Sequence, residues 1–273
     1  ERLKNAGAIV LGKTNAPEFG YSGVGHNPVF ETTRNPWNTD LTPGGSSAGS
    51  CASVVTGISP FAIASDGGGS IRIPSSLSGT YGMKASMGRV PLYPGCRDER
   101  YPGVSSWESI EHIGPVSNTV KDAALMLSVI SGPDDRDRHS LPKADFNWVD
   151  SVRTDIKGCK IGLSMDWGYA AVDQEVREII LKAAKIFEKD LGCEIIEDNP
   201  GWKNPYNDFW ALVILESDLK GMRKLDMDNP GKMSPHLSGL INRPWTAEDL
   251  TNATIGRKHV VNCMWKFMRK YDF

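Results

Sequence analysis

The spacing of apolar residues along the chain predicts strands that alternate with helices. Between Asp173 and Lys189, apolar residues recur every three or four positions, which is typical of a helix with one apolar face. Short apolar runs at 61–64, 160–163 and 194–196 predict strands. Strands that alternate with helices indicate an α/β domain built in layers around a largely buried sheet.

The remaining segments are assigned from helix signals and turn residues. Further helices are predicted near residues 1–6, 48–56, 74–79, 118–129 and 248–270, and one more strand at 8–11. The stretch 12–45 is rich in Asn, Thr, Pro and Gly and predicts a long irregular loop, which in compact proteins is usually functional or disordered. The Pro-, Trp- and Met-rich stretch 202–245 is interpreted as a helical lid over the site.

Charge and composition exclude several classes of protein. The 273 residues include 31 Lys and Arg against 33 Asp and Glu, a formal net charge of −2, whereas nucleic-acid-binding proteins carry a basic excess. Hydrophobic residues make up 40% of the chain, which is enough for a packed core. No apolar run approaches the roughly 18 residues of a membrane-spanning helix. We therefore expect neither a nucleic-acid partner nor a membrane partner.

The spacing of cysteines and histidines indicates the redox state of the cellular compartment and whether the chain binds a metal ion. The five cysteines are widely separated, with no Cys-x-x-Cys pair, which favours reduced thiols over disulfides or a zinc site. The five histidines are scattered, with no His-Glu-x-x-His pattern. The sequence therefore predicts a cytoplasmic protein that uses no metal and no other cofactor.

The most informative of the 28 glycines lie in two loops rich in glycine and serine, at 44–50 and 67–70. A phosphate-binding loop needs a Lys-Ser/Thr pair after its glycines, and neither loop has one, so nucleotide binding is disfavoured. Gly45 to Gly49 matches the G-x-S-x-G nucleophile elbow, which would make Ser47 a nucleophile. That elbow follows a buried strand, however, and turn-forming residues precede this one, so the match is weak.

The two loops together fit the chemistry of acyl transfer to a serine. That chemistry needs a nucleophile, a base that takes its proton, and backbone donors for the developing oxyanion. Gly67, Gly68 and Gly69 lack side chains that would block the approach of a substrate, and Ser70 follows them. A tight turn with a helix-capping serine is the alternative interpretation of these four residues.

The residues around both loops resemble the amidase signature family. The matching strings are GGSSAGS at 44–50 and SDGGGSIRIP at 65–74, supported by 6–15, 17–20, 82–84, 88–90 and 113–116. The similarity extends over essentially the whole chain and is strongest from Gly7 to Val129. It implies an α/β fold of three layers, α/β/α, with a central mixed β-sheet.

The resemblance also implies a Ser-cisSer-Lys catalytic triad. Ser70 corresponds to the nucleophile, and Ser46 corresponds to the serine that follows a cis peptide bond. The backbone amides of Gly67, Gly68, Gly69 and Ser70 are implied to form the oxyanion hole. The lysine of the family lies upstream of the first matching stretch, and therefore outside this chain.

Other residues near the loops have expected roles in support or in substrate binding. Ser47, beside the cis serine, is expected to orient the proton relay. Asp66 and Arg72 are expected to hold the glycine loop through charge-assisted hydrogen bonds. The substrate pocket is expected to be lined by Tyr21, Trp107 and His112. The alternatives are core packing for the two aromatic side chains and a structural hydrogen bond for the histidine.

The chain is interpreted as an internal stretch of one amidase signature domain covering 1–273. The N-terminal portion that bears the lysine, and the C-terminal portion, are expected to be missing from it. As a complete polypeptide, it would be expected to be inactive. Its expected partners are a small amide substrate and the remaining segments of the same polypeptide, and a homodimer is left open.

Three functions are weighed. The favoured one is hydrolysis of the C–N bond of amides, with anilides, carbamates or esters also compatible, through an acyl-serine intermediate. The second is the glutaminase subunit of a tRNA-dependent amidotransferase, although residues 104–114 lack the Ser-Leu-Asp-Gln-Ile-Gly pattern common in those subunits. The third is a binding protein that kept the fold and lost the base.

Overall fold

A computed structural model describes residues 1–93, 107 and 109–273 of the protein. Cys96 and part of the stretch 104–114 lie outside the described residues. The chain forms two compact units. The first comprises Glu1–Arg153 with Glu216–Arg243, and the second comprises Thr154–Leu215 with Pro244–Phe273. All of the predicted site residues belong to the first unit.

Helices alternate with strands along the described residues. The helices are α1 (Arg2–Asn5), α2 (Ala48–Val55), α3 (Arg72–Ser78), α4 (Val120–Ile130), α5 (Trp148–Ser151), α6 (Gln174–Lys189), α7 (Tyr206–Leu215), α8 (Leu219–Asp228), α9 (Pro235–Ile241) and α10 (Ala247–Met268). The strands are β1 (Phe61–Asp66), β2 (Tyr81–Gly82), β3 (His112–Ser117), β4 (Lys160–Leu163) and β5 (Glu194–Glu197). A 3-10 turn spans Glu18–Gly20. The α/β fold class predicted from the sequence is confirmed.

An antiparallel sheet in the first unit leads the chain into the predicted site. Its strands lie in the order β1, β3, β2. β1 and β3 pair along their whole length, which places Asp66 opposite His112. The apolar pattern does not predict β3, because Gly114 and Pro115 are uncommon inside strands. The sheet thus brings together two predicted site residues that are far apart in the sequence.

Helix α2 packs on this sheet and directly follows the loop that holds Ser46. Its residues Cys51 and Val54 are fully buried in a cluster with Ala64, Ile71 and Val116. Burying one aliphatic side chain contributes about 1.5–3 kcal/mol. The cluster therefore fixes the first turn of α2 relative to β1 and to the start of α3.

Helix α3 begins two residues after Ser70 and is fixed at both ends. Pro74 lies in its first turn and is fully buried. Gly79 ends the helix with a φ of +75°, the left-handed conformation that glycine adopts at low cost. Ser70 is therefore held between a strand and a helix, as the sequence predicts.

The second unit contains a parallel pair of strands, β4 and β5, and the helices α6, α7 and α10. α7 and α10 pack together through Ala211, Leu212 and Ala253. α6 begins at the predicted residue, where the Asp173 carboxylate accepts a hydrogen bond from the backbone of Glu175. No residue of α6 is fully buried, and the apolar residues Val176, Ile179 and Phe187 are about half exposed.

The strand predicted at residues 8–11 is wrong. The side chains of Ile9, Val10 and Leu11 are 86%, 60% and 68% exposed, and these residues belong to no strand. A strand is held by hydrogen bonds to a neighbouring strand, and none of the strands in the described ranges pairs with this run. A short apolar run by itself therefore does not establish a strand.

The stretch 202–245 is helical, as predicted. It contains α7, which belongs to the second unit, and α8 and α9, which belong to the first. Its function as a lid, and the interpretation of the chain as part of one domain, stay predictions.

The sequence predicts no membrane-spanning helix, no metal site and reduced thiols. Among the described helices, none is long and apolar enough to cross a membrane. The same residues hold no group of three or more His, Cys, Asp or Glu side chains arranged to bind a metal ion. The thiols of Cys51, Cys159, Cys193 and Cys263 are free.

Candidate active site

The two glycine- and serine-rich loops meet at Ser46, Ser47 and Ser70. The backbone N–H of Ser47 donates a hydrogen bond to the carbonyl oxygen of Ser70 (3.2 Å). Ser46 and Ser70 are each only 8% exposed, and the peptide bond between Gly45 and Ser46 is cis. The structure thus brings together the two serines that the resemblance assigns to catalysis.

Two glycines are required where the Ser46 loop passes its neighbours. A β-carbon on Gly44, whose φ is +81°, would lie 2.8 Å from the α-carbon of Pro74. One on Gly45 would lie 2.6 Å from the carbonyl oxygen of Val24. Real β-carbons do not approach backbone atoms so closely, so the loop reaches Ser46 only with glycine at both positions.

Ser47 is held by the backbone of β1. Its hydroxyl donates to the carbonyl oxygen of Ser65 (3.3 Å) and accepts from the Ser65 N–H (3.4 Å). Residues 39–47 form no strand, so the strand-to-helix geometry of a nucleophile elbow is absent. The contacts of Ser47 instead tie the Ser46 loop to the strand that leads into the three glycines.

Asp66 is the fully buried residue that organises the glycine loop. Its carboxylate accepts hydrogen bonds from the backbone N–H groups of Gly69 (2.8 Å), Ile71 (3.2 Å) and Arg72 (3.3 Å). The Arg72 guanidinium adds two further bonds of 2.9 Å each. Burial alone would raise the pKa of Asp66, but Arg72 and the loop amides outweigh it and hold the pKa below its usual value. Asp66 is therefore a buried carboxylate anion.

The contact between Gly69 and Asp66 changes the predicted set of oxyanion donors. A backbone N–H carries one hydrogen, and that of Gly69 points to the Asp66 carboxylate (2.8 Å). This differs from the sequence-based prediction, in which the Gly69 amide faces the oxyanion. The amides of Gly67, Gly68 and Ser70 remain as candidate donors.

Tyr21 and Trp107 lie together, as predicted for the pocket. Their rings meet edge to face with centroids 5.0 Å apart, and the indole N–H of Trp107 donates to the Tyr21 hydroxyl (3.1 Å). The Tyr21 hydroxyl in turn donates to the sulfur of Met222 on α8 (3.7 Å). Burial raises the pKa of Tyr21, so its hydroxyl keeps the proton that this bond requires.

The indole of Trp107 covers the first glycine of the glycine loop. A β-carbon on Gly67 would lie 2.5 Å from an indole carbon, and one on Gly20 would lie 3.8 Å from the same ring and 3.7 Å from the Ser46 hydroxyl. The Trp107 ring therefore lies against Gly67 and near Gly20, and the hydrogen bond to Tyr21 fixes its orientation.

The Gly67→Ala substitution is expected to destabilise the protein. The added methyl group would overlap Trp107, and overpacking of this kind costs about 1–3 kcal/mol. Urea denaturation measures the effect. The Gly12→Ala variant is the control, because a methyl group at Gly12 meets nothing within 4 Å. Equal stability of the two variants would contradict the assigned packing.

His112 supports the loop through its ring. Its Nδ1 lies 3.2 Å from the carbonyl oxygen of Asp66. A carbonyl oxygen only accepts, so Nδ1 carries the hydrogen. Burial, together with the positive charge of Lys84, lowers the pKa of His112 and favours the neutral ring. The structure therefore supports the alternative interpretation of His112, a structural hydrogen bond.

Glu111 is a site neighbour that the sequence does not reveal. It precedes His112 and forms a side-chain hydrogen bond with Ser65. Burial raises the pKa of its carboxyl group, and the bonds from Ser65 and from the backbone only partly offset this effect. Its chemistry could not be predicted from the sequence, because a lone glutamate at the end of a loop carries no motif.

The Glu111→Gln substitution is expected to change how stability depends on pH. A raised pKa in the folded state favours the neutral acid, so this stabilisation is complete below the unfolded pKa of about 4.3 and is lost as pH rises through the folded pKa. The glutamine variant should therefore gain stability over the unsubstituted protein between pH 4 and pH 8 in urea titrations. Glu188→Gln, on the exposed surface of α6, is the control. A difference that does not change with pH would contradict the shift.

An α/β fold that pairs a serine after a cis bond with a serine after three glycines is the arrangement expected of amidase signature proteins. The family model named Amidase matches residues 1–258. The chain belongs to the amidase signature family.

Two kinds of curated relative match the chain. An acylamidase of Rhodococcus erythropolis is 36% identical over 278 residues, which cover 100% of this chain and 56% of the acylamidase. A glutamyl-tRNA(Gln) amidotransferase subunit from Caldanaerobacter subterraneus is 41% identical over 197 residues, which cover 72% of this chain and 38% of that subunit. The chain spans about half of the length of the acylamidase, and less of the amidotransferase subunit.

Solved structures of the same two kinds share the fold. A bacterial aryl acylamidase of the amidase signature family matches with a TM-score of 0.87 and 30% identity, over 99% of this chain and 56% of that protein. The corresponding glutamyl-tRNA(Gln) amidotransferase subunit from Thermotoga maritima matches with a TM-score of 0.78 and 27% identity, over 99% of this chain and 58% of the subunit.

Proposed function

We propose that this chain is the nucleophile-bearing part of a hydrolase that cleaves the C–N bond of amides through an acyl-serine intermediate. The observation that carries the proposal is the contact between the two serine loops, in which the Ser47 N–H bonds the Ser70 carbonyl oxygen at 3.2 Å. That contact places the serine after the cis bond next to the serine that follows the glycines. The two serines are the parts of a proton relay that this chain supplies.

In the proposed first half-reaction, the Ser70 oxygen attacks the amide carbonyl carbon. The Ser70 proton passes to the Ser46 hydroxyl, whose own proton passes to a neutral lysine amine. The lysine belongs to a segment of the same polypeptide outside this chain. When the tetrahedral intermediate collapses, the C–N bond breaks and the relay returns the proton to the leaving nitrogen. An ester between the acyl group and Ser70 remains.

In the second half-reaction, water adds to the Ser70 ester. The same relay takes the proton from water and returns one to the Ser70 oxygen as the C–O bond breaks. The carboxylic acid leaves, and both serines regain their hydroxyl groups. Each turnover thus consumes one water molecule and produces one acid and one amine.

The proposed oxyanion donors are the backbone amides of Gly67, Gly68 and Ser70. Removing one donor of an oxyanion hole typically costs about 2.7–4 kcal/mol of transition-state stabilisation. Asp66 and Arg72 do not touch the substrate in this proposal. They hold the loop in shape through the five bonds that the Asp66 carboxylate accepts.

A glutaminase subunit is the second candidate function. The glutamyl-tRNA(Gln) amidotransferase subunit of Caldanaerobacter subterraneus is 41% identical over 72% of this chain, which favours it. The acylamidase matches the whole chain, including the stretch beyond the match to that subunit. We therefore place the hydrolase first.

The discriminating experiment uses the longer polypeptide that carries this chain with its lysine-bearing segment. Release of amine from simple acyl amides without any partner protein is expected. Strict dependence on glutamine, together with copurification of a partner subunit, would favour the glutaminase. The chain of 273 residues tested alone is expected to be inactive, and activity from it would contradict the location of the base outside it.

A cytoplasmic location stays part of the proposal. It rests on the free thiols of Cys51, Cys159, Cys193 and Cys263, which fit a reducing compartment. Labelling of the protein in fractionated cells tests it.

A further inference from the structure

His112 binds the peptide unit that joins Asp66 to Gly67. Its Nδ1 donates a hydrogen bond to the Asp66 carbonyl oxygen at 3.2 Å. Asp66 and His112 lie opposite each other and form the last pair of the ladder between β1 and β3. Hydrogen bonds at the end of an element open most easily, so a further bond from a side chain adds most at this position.

The same peptide unit carries the N–H of Gly67, which is a proposed oxyanion donor. The unit is trans, and in a planar trans peptide the C=O and N–H groups point in opposite directions. A carbonyl that is fixed toward His112 on β3 therefore turns the Gly67 N–H toward the other edge of β1.

That other edge of β1 faces the Ser46 loop. Two residues before Gly67, the N–H of Ser65 donates to the Ser47 hydroxyl at 3.4 Å on this edge. The N–H groups of residues i and i+2 leave a strand on the same edge, so the Gly67 N–H points to the side on which the serines lie. It donates to no backbone carbonyl of the described residues, which leaves it available for an oxyanion.

A glycine at position 67 makes the orientation of this peptide unit depend on bonds from outside the loop. Glycine populates both signs of φ, so a peptide unit next to it rotates at little cost. The backbone bonds to the Asp66 carboxylate come from Gly69 and later residues and do not restrain the unit. Trp107 packs on the Gly67 α-carbon, but its indole N–H is bound to Tyr21. Among these side chains, it is His112 that orients the unit.

We propose that His112 is a positioning residue that aims the Gly67 N–H at the oxyanion. Donation to the Asp66 carbonyl also polarises the peptide unit, which strengthens the hydrogen bond that its N–H can give. His112 does not touch the substrate in this proposal. The inference rests on the proposed function, because an oxyanion forms at this loop only when Ser70 attacks an amide carbonyl.

The test replaces His112 with two side chains that share their branching. Asparagine places an NH₂ group where Nδ1 lies, whereas leucine places a methyl group there. In the full-length polypeptide, His112→Leu should lower kcat about ten- to a hundred-fold and change KM by less than about three-fold, because the oxyanion exists only in the transition state and intermediate. His112→Asn should keep at least about a third of kcat.

The control is His26→Leu. The Nδ1 of His26 lies 3.2 Å from the Thr32 hydroxyl in an exposed loop, so this variant also removes one ring hydrogen bond. It should change neither kcat nor KM. Normal kcat in His112→Leu, or equal losses in the leucine and asparagine variants of His112, would overturn the proposal.

A thioamide substrate shows whether the oxyanion is the affected group. Sulfur accepts hydrogen bonds weakly, so replacing the carbonyl oxygen with sulfur removes much of what the oxyanion donors contribute. The ratio of kcat for the amide to kcat for the thioamide should fall about ten-fold in His112→Leu and stay unchanged in His112→Asn. An equal loss on both substrates would indicate general damage to the fold and would also overturn the proposal.

A spectroscopic measurement without turnover separates this inference from the proposed function. Labelling with ¹³C at aspartate carbonyls and ¹⁵N at glycine selects Asp-Gly pairs by NMR, and Asp66–Gly67 is the only such pair in the 273 residues. Its signal should shift in His112→Leu and not in His112→Asn. That result without hydrolysis by the unsubstituted protein would refute the proposed function. The same shift with normal kcat in His112→Leu would refute the positioning role alone.

Discussion

Replacing Ser70 with alanine is expected to lower the rate of amide hydrolysis by at least about a thousand-fold. Removing the nucleophile of a serine hydrolase leaves only the catalysis that comes from binding and oxyanion donors. Ser70 is 8% exposed, and its loop is held by the bonds to Asp66 and not by its own hydroxyl, so the variant should fold. The measurement is amine release by the full-length polypeptide, with urea denaturation as a check on folding.

The matched control for this substitution is Ser76→Ala. Ser76 lies in α3, six positions beyond Ser70, and its side chain is exposed. Its loss should leave the rate unchanged. Hydrolysis that persists in the Ser70→Ala variant would contradict the nucleophile assignment. Such persistent activity would indicate that another group is the nucleophile in amide hydrolysis.

Replacing Asp66 with asparagine is expected to cost about 3 kcal/mol of stability and most of the activity. The carboxylate is fully buried and accepts five hydrogen bonds, and a carboxamide would turn an NH₂ group toward some of those donors. Buried N–H groups of the glycine loop would then lack acceptors. Urea denaturation and the hydrolysis rate measure the two effects. The control Asp150→Asn, on α5 at the exposed surface, should change neither.

The same variant tests the ionisation of Asp66. The folded-state pKa of Asp66 is lowered, so its contribution to stability is present above the unfolded pKa of about 3.9 and is lost as pH falls through the folded pKa. The stability difference between the unsubstituted protein and Asp66→Asn should therefore be largest near neutral pH and shrink in strong acid. A difference that grows on acidification would contradict a buried carboxylate anion.

Much of the fold follows from local patterns in the sequence. The bounds of β4 and the start of α6 agree with prediction, because a short apolar run and an Asp N-cap are local signals. The predictions that failed concern which segments pair as strands. Residues 8–11 have the apolar pattern of a strand without a described neighbour, whereas β3 has a neighbour on each side despite Gly114 and Pro115. Which strand a run pairs with depends on distant parts of the chain.

Some features of the candidate site can be predicted from the sequence, and others cannot. The two serine loops are recognisable because their residues are contiguous, and the resemblance implies the cis bond that the structure contains. Contacts between residues that are far apart in the sequence could not be predicted from it. Trp107 lies over Gly67, and Glu111 bonds Ser65. The engagement of the Gly69 amide by Asp66 depends on the turn geometry of the loop, which composition does not specify.

The most direct test of the account is covalent labelling of the full-length polypeptide with a fluorophosphonate. Such reagents form a stable bond to an activated serine oxygen, and tryptic mass spectrometry locates the modified residue. The account predicts modification at Ser70 and its loss in the Asp66→Asn variant, in which the glycine loop is no longer held. Modification of Ser46 or Ser47, with Ser70 unmodified, would contradict it.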